Sequence, residues 1–199
     1  MHKAYESFLI NPTADGYLRL RKKIVANRSL SRHWEELAQV ARLMRRGAFD
    51  DVLAAGEAMF PAWMLSPRWH YYMGLAALRL HDGESAEIER FELQSCLVGL
   101  LATGDGTPES PYLATYLSDA QDVARALRLT PKDIQTIALG PEHPDDARYF
   151  DVVTCSRGRE LYFDATQIVD PNGDFSRRPH DAGVAGIASR LLLQGQRQS

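Results

Sequence analysis

Cysteine is scarce in this chain, with Cys96 and Cys155 the only two among 199 residues. Two thiols in different local contexts make neither a disulfide framework nor a four-cysteine zinc site, so reduced thiols are the expected state. Long apolar runs are missing as well. The longest, such as residues 96–102, fall far below the roughly 20 residues that cross a bilayer, so no membrane association is expected. Residues 1–15 carry no apolar run behind a basic start and no small-residue cleavage pattern; no secretory leader is read there and a cytoplasmic location is expected. Neither H-E-x-x-H nor a paired C-x-x-C occurs, and the six histidines, His2, His33, His70, His81, His143 and His180, are scattered. His33 and His70 are read as packing or hydrogen-bonding residues, and neither a metal nor any other cofactor is expected.

Apolar residues are plentiful. At 45% hydrophobic and 25% charged, the composition is that of a globular chain able to bury a core, which sets disorder aside. Net charge is −3, yet its placement is uneven. Residues 19–46 hold nine lysines and arginines against Glu35 and Glu36, a net of +7, and the remainder is acidic. Such a stretch attracts carboxylate or phosphate, or it pairs with the acidic part of its own chain.

Apolar spacing predicts a run of helices. Tyr17, Leu18, Leu20, Ile24 and Val25 mark an amphipathic helix over 14–27; Trp34, Leu37, Ala38, Ala41 and Met44 mark a second from an N-cap at Ser31 to Arg46 and Gly47. A third, with Phe49, Val52, Leu53, Gly56 and Met59, is expected to stop at Pro61. Pro67 opens a fourth, a turn falls at His81-Asp82-Gly83, and a fifth runs over 84–101. This layout repeats at an offset of 36 residues: Trp34 aligns with His70, Leu37 with Met73, Ala38 with Gly74, Ala41 with Ala77 and Gly47 with Gly83. A large-x-x-large-small pattern with a glycine turn is what stacked helical hairpins need, because each hairpin alone leaves an apolar face exposed.

On these residues, Trp34-Glu35-Glu36-Leu37-Ala38 and His70-Tyr71-Tyr72-Met73-Gly74-Leu75, with Ala86 in the second helix, the chain resembles the tetratricopeptide repeat family over residues 31–103. It departs from the family in its 36-residue offset and in the missing alanine register of 49–61. The resemblance implies a concave groove lined by the first helix of each hairpin: Arg32, Glu35, Gln39 and Arg42, then Arg68, Tyr71, Leu75 and Arg79.

Past residue 101 the texture changes. The turn formers of 103–108 set the expected domain boundary, with a helical part over 1–103, a small α+β part over 104–170 and a loose end over 171–199 carrying a candidate helix at 184–193. A strand at 112–117, a helix at 118–129 and a hairpin of strands 149–155 and 160–165 give a β-α-β-β outline. The expected class is therefore α+β, predominantly α. Residues 103–110, the helix at 119–129, and the pairs Tyr149-Phe150-Asp151-Val152 and Leu161-Tyr162-Phe163-Asp164 are similar to a bacterial family of unknown function, best known from gut Bacteroidetes. That resemblance implies the same order of parts and supplies no mechanism.

Several short patterns resolve into structure. Asp170-Pro171-Asn172-Gly173-Asp174 starts like a calcium loop, but Phe175 occupies the position where the sharp turn requires glycine. Gly104-Asp105-Gly106 lacks the Lys-Ser/Thr of a phosphate loop and reads as an interdomain turn. Cys96, among Leu93, Leu97 and Leu100, reads as a core thiol, and Cys155 has Arg157 nearby but no base.

With no convergent nucleophile, base or metal set, the leading expectation is a non-enzymatic module of adaptor, chaperone or immunity type. It would hold a protein or acidic peptide on the arginine-bearing groove, since guanidinium groups suit carboxylates. A small hydrolase or transferase at the junction of the two parts, using Asp151, Asp164, His143 or Tyr162, stays open as the alternative. Nucleic-acid binding through residues 19–46 has only the basic run behind it and is disfavoured.

Overall fold

The structure, a computed structural model, describes residues 2–26, 30–139 and 148–168, without the side chains of residues 30–35 and 139. Among these, seven helices precede or join a four-stranded mixed sheet, an α+β fold that is mostly helical. The loose end, the candidate helix at 184–193, the calcium-like loop, His143 and His180 lie outside the described residues.

Helix α1, His2–Ile10, was not expected from the sequence; it is short and buries only Tyr5 and Phe8, three residues apart on one face. Helix α2, Ala14–Ala26, buries Tyr17, Leu20 and Ile24 as its spacing predicts, and Arg21 with them. Helices α3, Leu30–Arg46, and α4, Phe49–Trp63, follow across Gly47 at φ 74. Contrary to expectation, α4 runs through Pro61. The ring sits in the last turn, where the missing N–H costs a single hydrogen bond and little helix remains to be kinked.

Helix α5, Pro67–Arg79, starts as Pro67 predicts, with Ser66 Oγ accepting from the Trp69 N–H. Helix α6, Gly83–Leu101, is capped by Asp82, whose Oδ1 accepts from the Ser85 N–H at 3.0 Å. The left-handed residue of this turn is His81, at φ 62, and not Gly83. The two aligned segments therefore differ at their turns, where Gly47 is left-handed and Gly83 is not. Gly74 serves as the repeat implies: a Cβ there would lie 3.1 Å from the Cβ of Glu89, so its absence lets α6 close on α5.

Helices α3 to α6 pack in sequence, with α3 also touching α5, whereas α1 and α2 fold back onto α6. The first two helices therefore do not extend a linear stack. Strand β1 is only Tyr112–Leu113, shorter than expected. The N–H groups of Thr115 and Tyr116 are claimed by the Asp119 carboxylate, at 2.7 and 2.9 Å, instead of a ladder. Helix α7, Asp119–Ala126, leads into β2, Pro131–Leu139, a strand the sequence did not announce, and then β3, Arg148–Cys155, and β4, Glu160–Asp164. The order is β1-β4-β3-β2, with β1 parallel to β4 and the other pairs antiparallel.

A single core joins the helices to the sheet. Trp63 stacks between Trp69, at 5.4 Å, and Tyr116, at 5.0 Å, and Tyr116 donates to the Ala62 carbonyl. Arg21 reaches across in the same way, its guanidinium donating twice to Ala114 O. The turn at residues 103–108 therefore changes direction without dividing the packing. No helix among the described residues is long and apolar enough to cross a membrane.

Candidate functional site

The surface expected on α3 and α5 is brought together only in part. Gln39 and Arg42 on α3 are exposed, as is Arg79 at the end of α5. The side chains of Arg32 and Glu35 lie outside the described residues. Arg68 and Tyr71 are buried. Arg68 donates from Nε and Nη2 to one oxygen of Asp122 on α7, so the middle of the α5 face is taken by the chain's own acidic helix. Burial pulls the guanidinium down, but the Asp122 charge prevails and holds it well above its usual value. Burial raises the Tyr71 hydroxyl to about 12.

The residues weighed for a junctional enzyme also separate. Asp151 pairs with Phe163 and Asp164 with Phe150 across β3 and β4, which puts the two carboxylates on opposite faces of the sheet. Asp151 is buried and accepts from Thr136 Oγ1 at 2.9 Å; Asp164 accepts from Arg148 on the outer face, and Tyr162 donates to exposed Glu160. Cys155 is buried, which pushes its thiol up and away from reactivity. Both cysteines are free.

Two constellations replace these. The first is a groove of about 640 Å³ between α1 and α2. Its floor is Phe8 and Leu20, Asn11 lies at one end, and its charged liners are Arg19, Lys22 and Lys23. The basic run of the sequence pointed to α2, but the wall supplied by α1 was not foreseen.

The second lies under α1, between α5 and α6. His70, fully enclosed, sends Nδ1 to Glu89 Oε2 at 2.7 Å and to Glu92 Oε2 at 3.2 Å. Its Nε2 lies 2.9 Å from the Met64 carbonyl and 3.2 Å from the Tyr5 hydroxyl, which itself donates to Glu92. The Cys96 thiol donates to the same Met64 carbonyl, and Phe60 stands edge-on to His70. Glu89, Glu92 and Cys96 share one face of α6 by their spacing of three and four residues.

Burial pulls the His70 imidazole down, but hydrogen bonding at Cys96 and the Glu89 carboxylate outweigh it and hold its pKa well above the ordinary histidine value. Burial, reinforced by the neighbouring Glu89 charge, raises Glu92. The sequence offered His70 as a packing residue, and it does pack. Glu89 and Glu92 were missed because a Glu-x-x-Glu pair on a helix is ordinarily a solvated face, and only the fold shows which imidazole it meets.

Compared with known protein families, curated proteins and solved structures, the chain matches none significantly.

Proposed function

We propose that this protein is a non-enzymatic interaction module that holds an acidic segment of a partner protein in the groove between α1 and α2. One observation carries the reading: every charged residue lining the groove is a cation, Arg19, Lys22 or Lys23, above an apolar floor of Phe8 and Leu20. Guanidinium and ammonium groups at a rim suit aspartate and glutamate side chains, and a floor of this kind suits the apolar residues between them. The volume, about 640 Å³, lies in the range of ligand grooves.

The tetratricopeptide-like character of α3 to α6 belongs to the same reading, with those hairpins as the scaffold on which α1 and α2 are mounted. A bacterial adaptor, chaperone or immunity-type protein is the form such a module would take. Exposed Gln39, Arg42 and Arg79 provide further places for carboxylates outside the groove. A cytoplasmic setting is in keeping with two thiols that are not bonded to each other. Nucleic acid is the weaker partner, because the net charge is −3 and an apolar floor does not serve a phosphate backbone.

The test is fluorescence anisotropy of a labelled peptide of alternating glutamate and leucine, with wild type beside an Arg19→Glu/Lys22→Glu variant. Binding that weakens with added salt and falls at least tenfold in the variant is the expected result. Equal binding by the two proteins, or tighter binding of a labelled RNA oligonucleotide than of the peptide, overturns the reading.

A further inference from the structure

The hydrogen-bond inventory around His70 leaves one position that a proton or a metal ion must fill. A backbone carbonyl only accepts, so the 2.9 Å contact with Met64 O puts the hydrogen on Nε2. The Nδ1 lone pair then faces the carboxylate oxygens of Glu89 and Glu92, which are also acceptors. Three electron-pair donors cannot sit at 2.7 and 3.2 Å without a positive charge among them. One proton leaves the three groups at a net −1 with only the imidazole fully enclosed, whereas a divalent ion brings them to neutrality.

We propose that His70, Glu89 and Glu92 bind one first-row divalent cation of the zinc or manganese type, joining α5 to α6 beneath α1. The three donor atoms lie within 4.8 Å of one another. Ligands around a tetrahedral zinc stand about 3.4 Å apart, so admitting the ion asks the 2.7 and 3.2 Å contacts of His70 with the two carboxylates to open by under about 1 Å. Glu89 and Glu92 can supply these, because their side chains are 24% and 15% exposed while that of His70 is fully enclosed. The same partial exposure gives the ion a way in.

The hydrogen bonds around the three groups point the same way. The hydrogen bond from Nε2 to a backbone carbonyl is the usual support of a metal-bound imidazole, fixing its tautomer and its plane. The Tyr5 hydroxyl orients Glu92 by donating to it at 3.2 Å. One imidazole with two carboxylates is a borderline-hard set, suited to Zn²⁺ or Mn²⁺ and unsuited to soft copper. The Cys96 thiol donates to the Met64 carbonyl and is not among the three groups whose donor atoms converge. Facing side chains of adjacent helices are where helical proteins build such centres. The inference is independent of the α1/α2 groove and reverses the expectation, drawn from sequence, that the chain holds no metal.

Full-length protein stripped with a chelator is titrated with ZnCl₂ and with MnCl₂ by calorimetry, and with CoCl₂ by visible absorption. Expected are one equivalent of ion bound, a raised thermal midpoint, and cobalt d–d bands without a thiolate charge-transfer band. Glu89→Gln, which keeps the side-chain shape, lowers affinity tenfold or more, whereas His2→Gln/His81→Gln, which removes two exposed imidazoles, binds as wild type. Absence of saturable uptake by wild type overturns the proposal and assigns the bridging charge to a proton. So does wild-type affinity in Glu89→Gln. If circular dichroism shows that Glu89→Gln does not fold, Glu92→Gln and the wild-type cobalt spectrum decide, and thiolate bands or a missing d–d envelope count against the site.

Discussion

Arg68 on α5 and Asp122 on α7 form a buried ion pair in which two guanidinium nitrogens share the single oxygen Oδ1, Nε at 2.8 Å. The contact ties the helical part to the α+β part at a position the sequence alone assigned to a ligand groove. Removing one member of a buried pair costs about 3 to 5 kcal/mol when the other charge is left uncompensated, and here Asp122 would keep only Arg125, at 3.6 Å. Arg68→Met is therefore expected to lower unfolding stability by up to about 3 kcal/mol, and Arg68→Met/Asp122→Leu to recover part of it. Urea unfolding of the four proteins of this cycle gives the answer, and additive losses in the double variant would show that the pair does not act as a unit.

The Trp63 ring, stacked on Trp69 at 5.4 Å and on Tyr116 at 5.0 Å, links α4 and α5 to the segment between β1 and α7, and the two parts are expected to unfold as one unit. Trp63→Ala should cost about 3 to 5 kcal/mol, as loss of a large buried aromatic does. In wild type the far-ultraviolet dichroism and the tryptophan fluorescence should change together in one transition. Two separated transitions would mean that the parts before and after residues 103–108 unfold independently.

Helices α2 and α3 were legible because each carries its own period: the stripes of Tyr17, Leu20 and Ile24, and of Leu37 and Ala41, turned inward as spacing demands. Capping chemistry fixed the start of α5, where Ser66 and Pro67 act within one turn. What stayed hidden was decided by partners distant in sequence. Strand β2 carries few strictly alternating apolar residues and is held by its pairing with β3. Arg68 and Tyr71 occupy the helix face that the repeat pattern assigns to a groove, and only the position of α7 covers them. Tyr5, Glu89 and Glu92 are ordinary surface types until α1 and α6 bring them to His70, 65 residues from Tyr5.

Asp82 caps α6 through hydrogen bonds from Ser85, first through its side chain and then through its backbone N–H, and these hold its carboxyl below the usual aspartate value. A depressed pKa in the folded state means stability that is present above the unfolded value, about 3.9, and lost as pH falls through the folded one. Asp82→Ala should therefore unfold at lower urea than wild type at pH 7. The gap should narrow only below about pH 4, as the wild-type cap takes up its proton. A gap that stays constant from pH 7 to pH 2.5 would show that the cap acts without its charge.

Gly99 is the point at which α1 and α2 rest on α6. A Cβ there would come within 2.6 Å of the Phe8 ring, closer than real side chains approach, and within a tight 3.0 Å of the Tyr17 ring. Both rings are enclosed, with Phe8 at 2% and Tyr17 at 0% exposure, so neither can swing into solvent to make room. Overpacking of this kind costs about 1 to 3 kcal/mol. Because Phe8 also floors the groove between α1 and α2, Gly99→Ala is expected to loosen the acidic peptide as well as lower stability, although residue 99 does not line the groove. The metal titration separates local from general damage. Helices α5 and α6 hold all three proposed ligands, so one equivalent of zinc should still bind to Gly99→Ala while the peptide affinity falls. Loss of both together would mean that the substitution unsettles α6 itself, and unchanged peptide binding would mean that the Phe8 wall does not shape the groove.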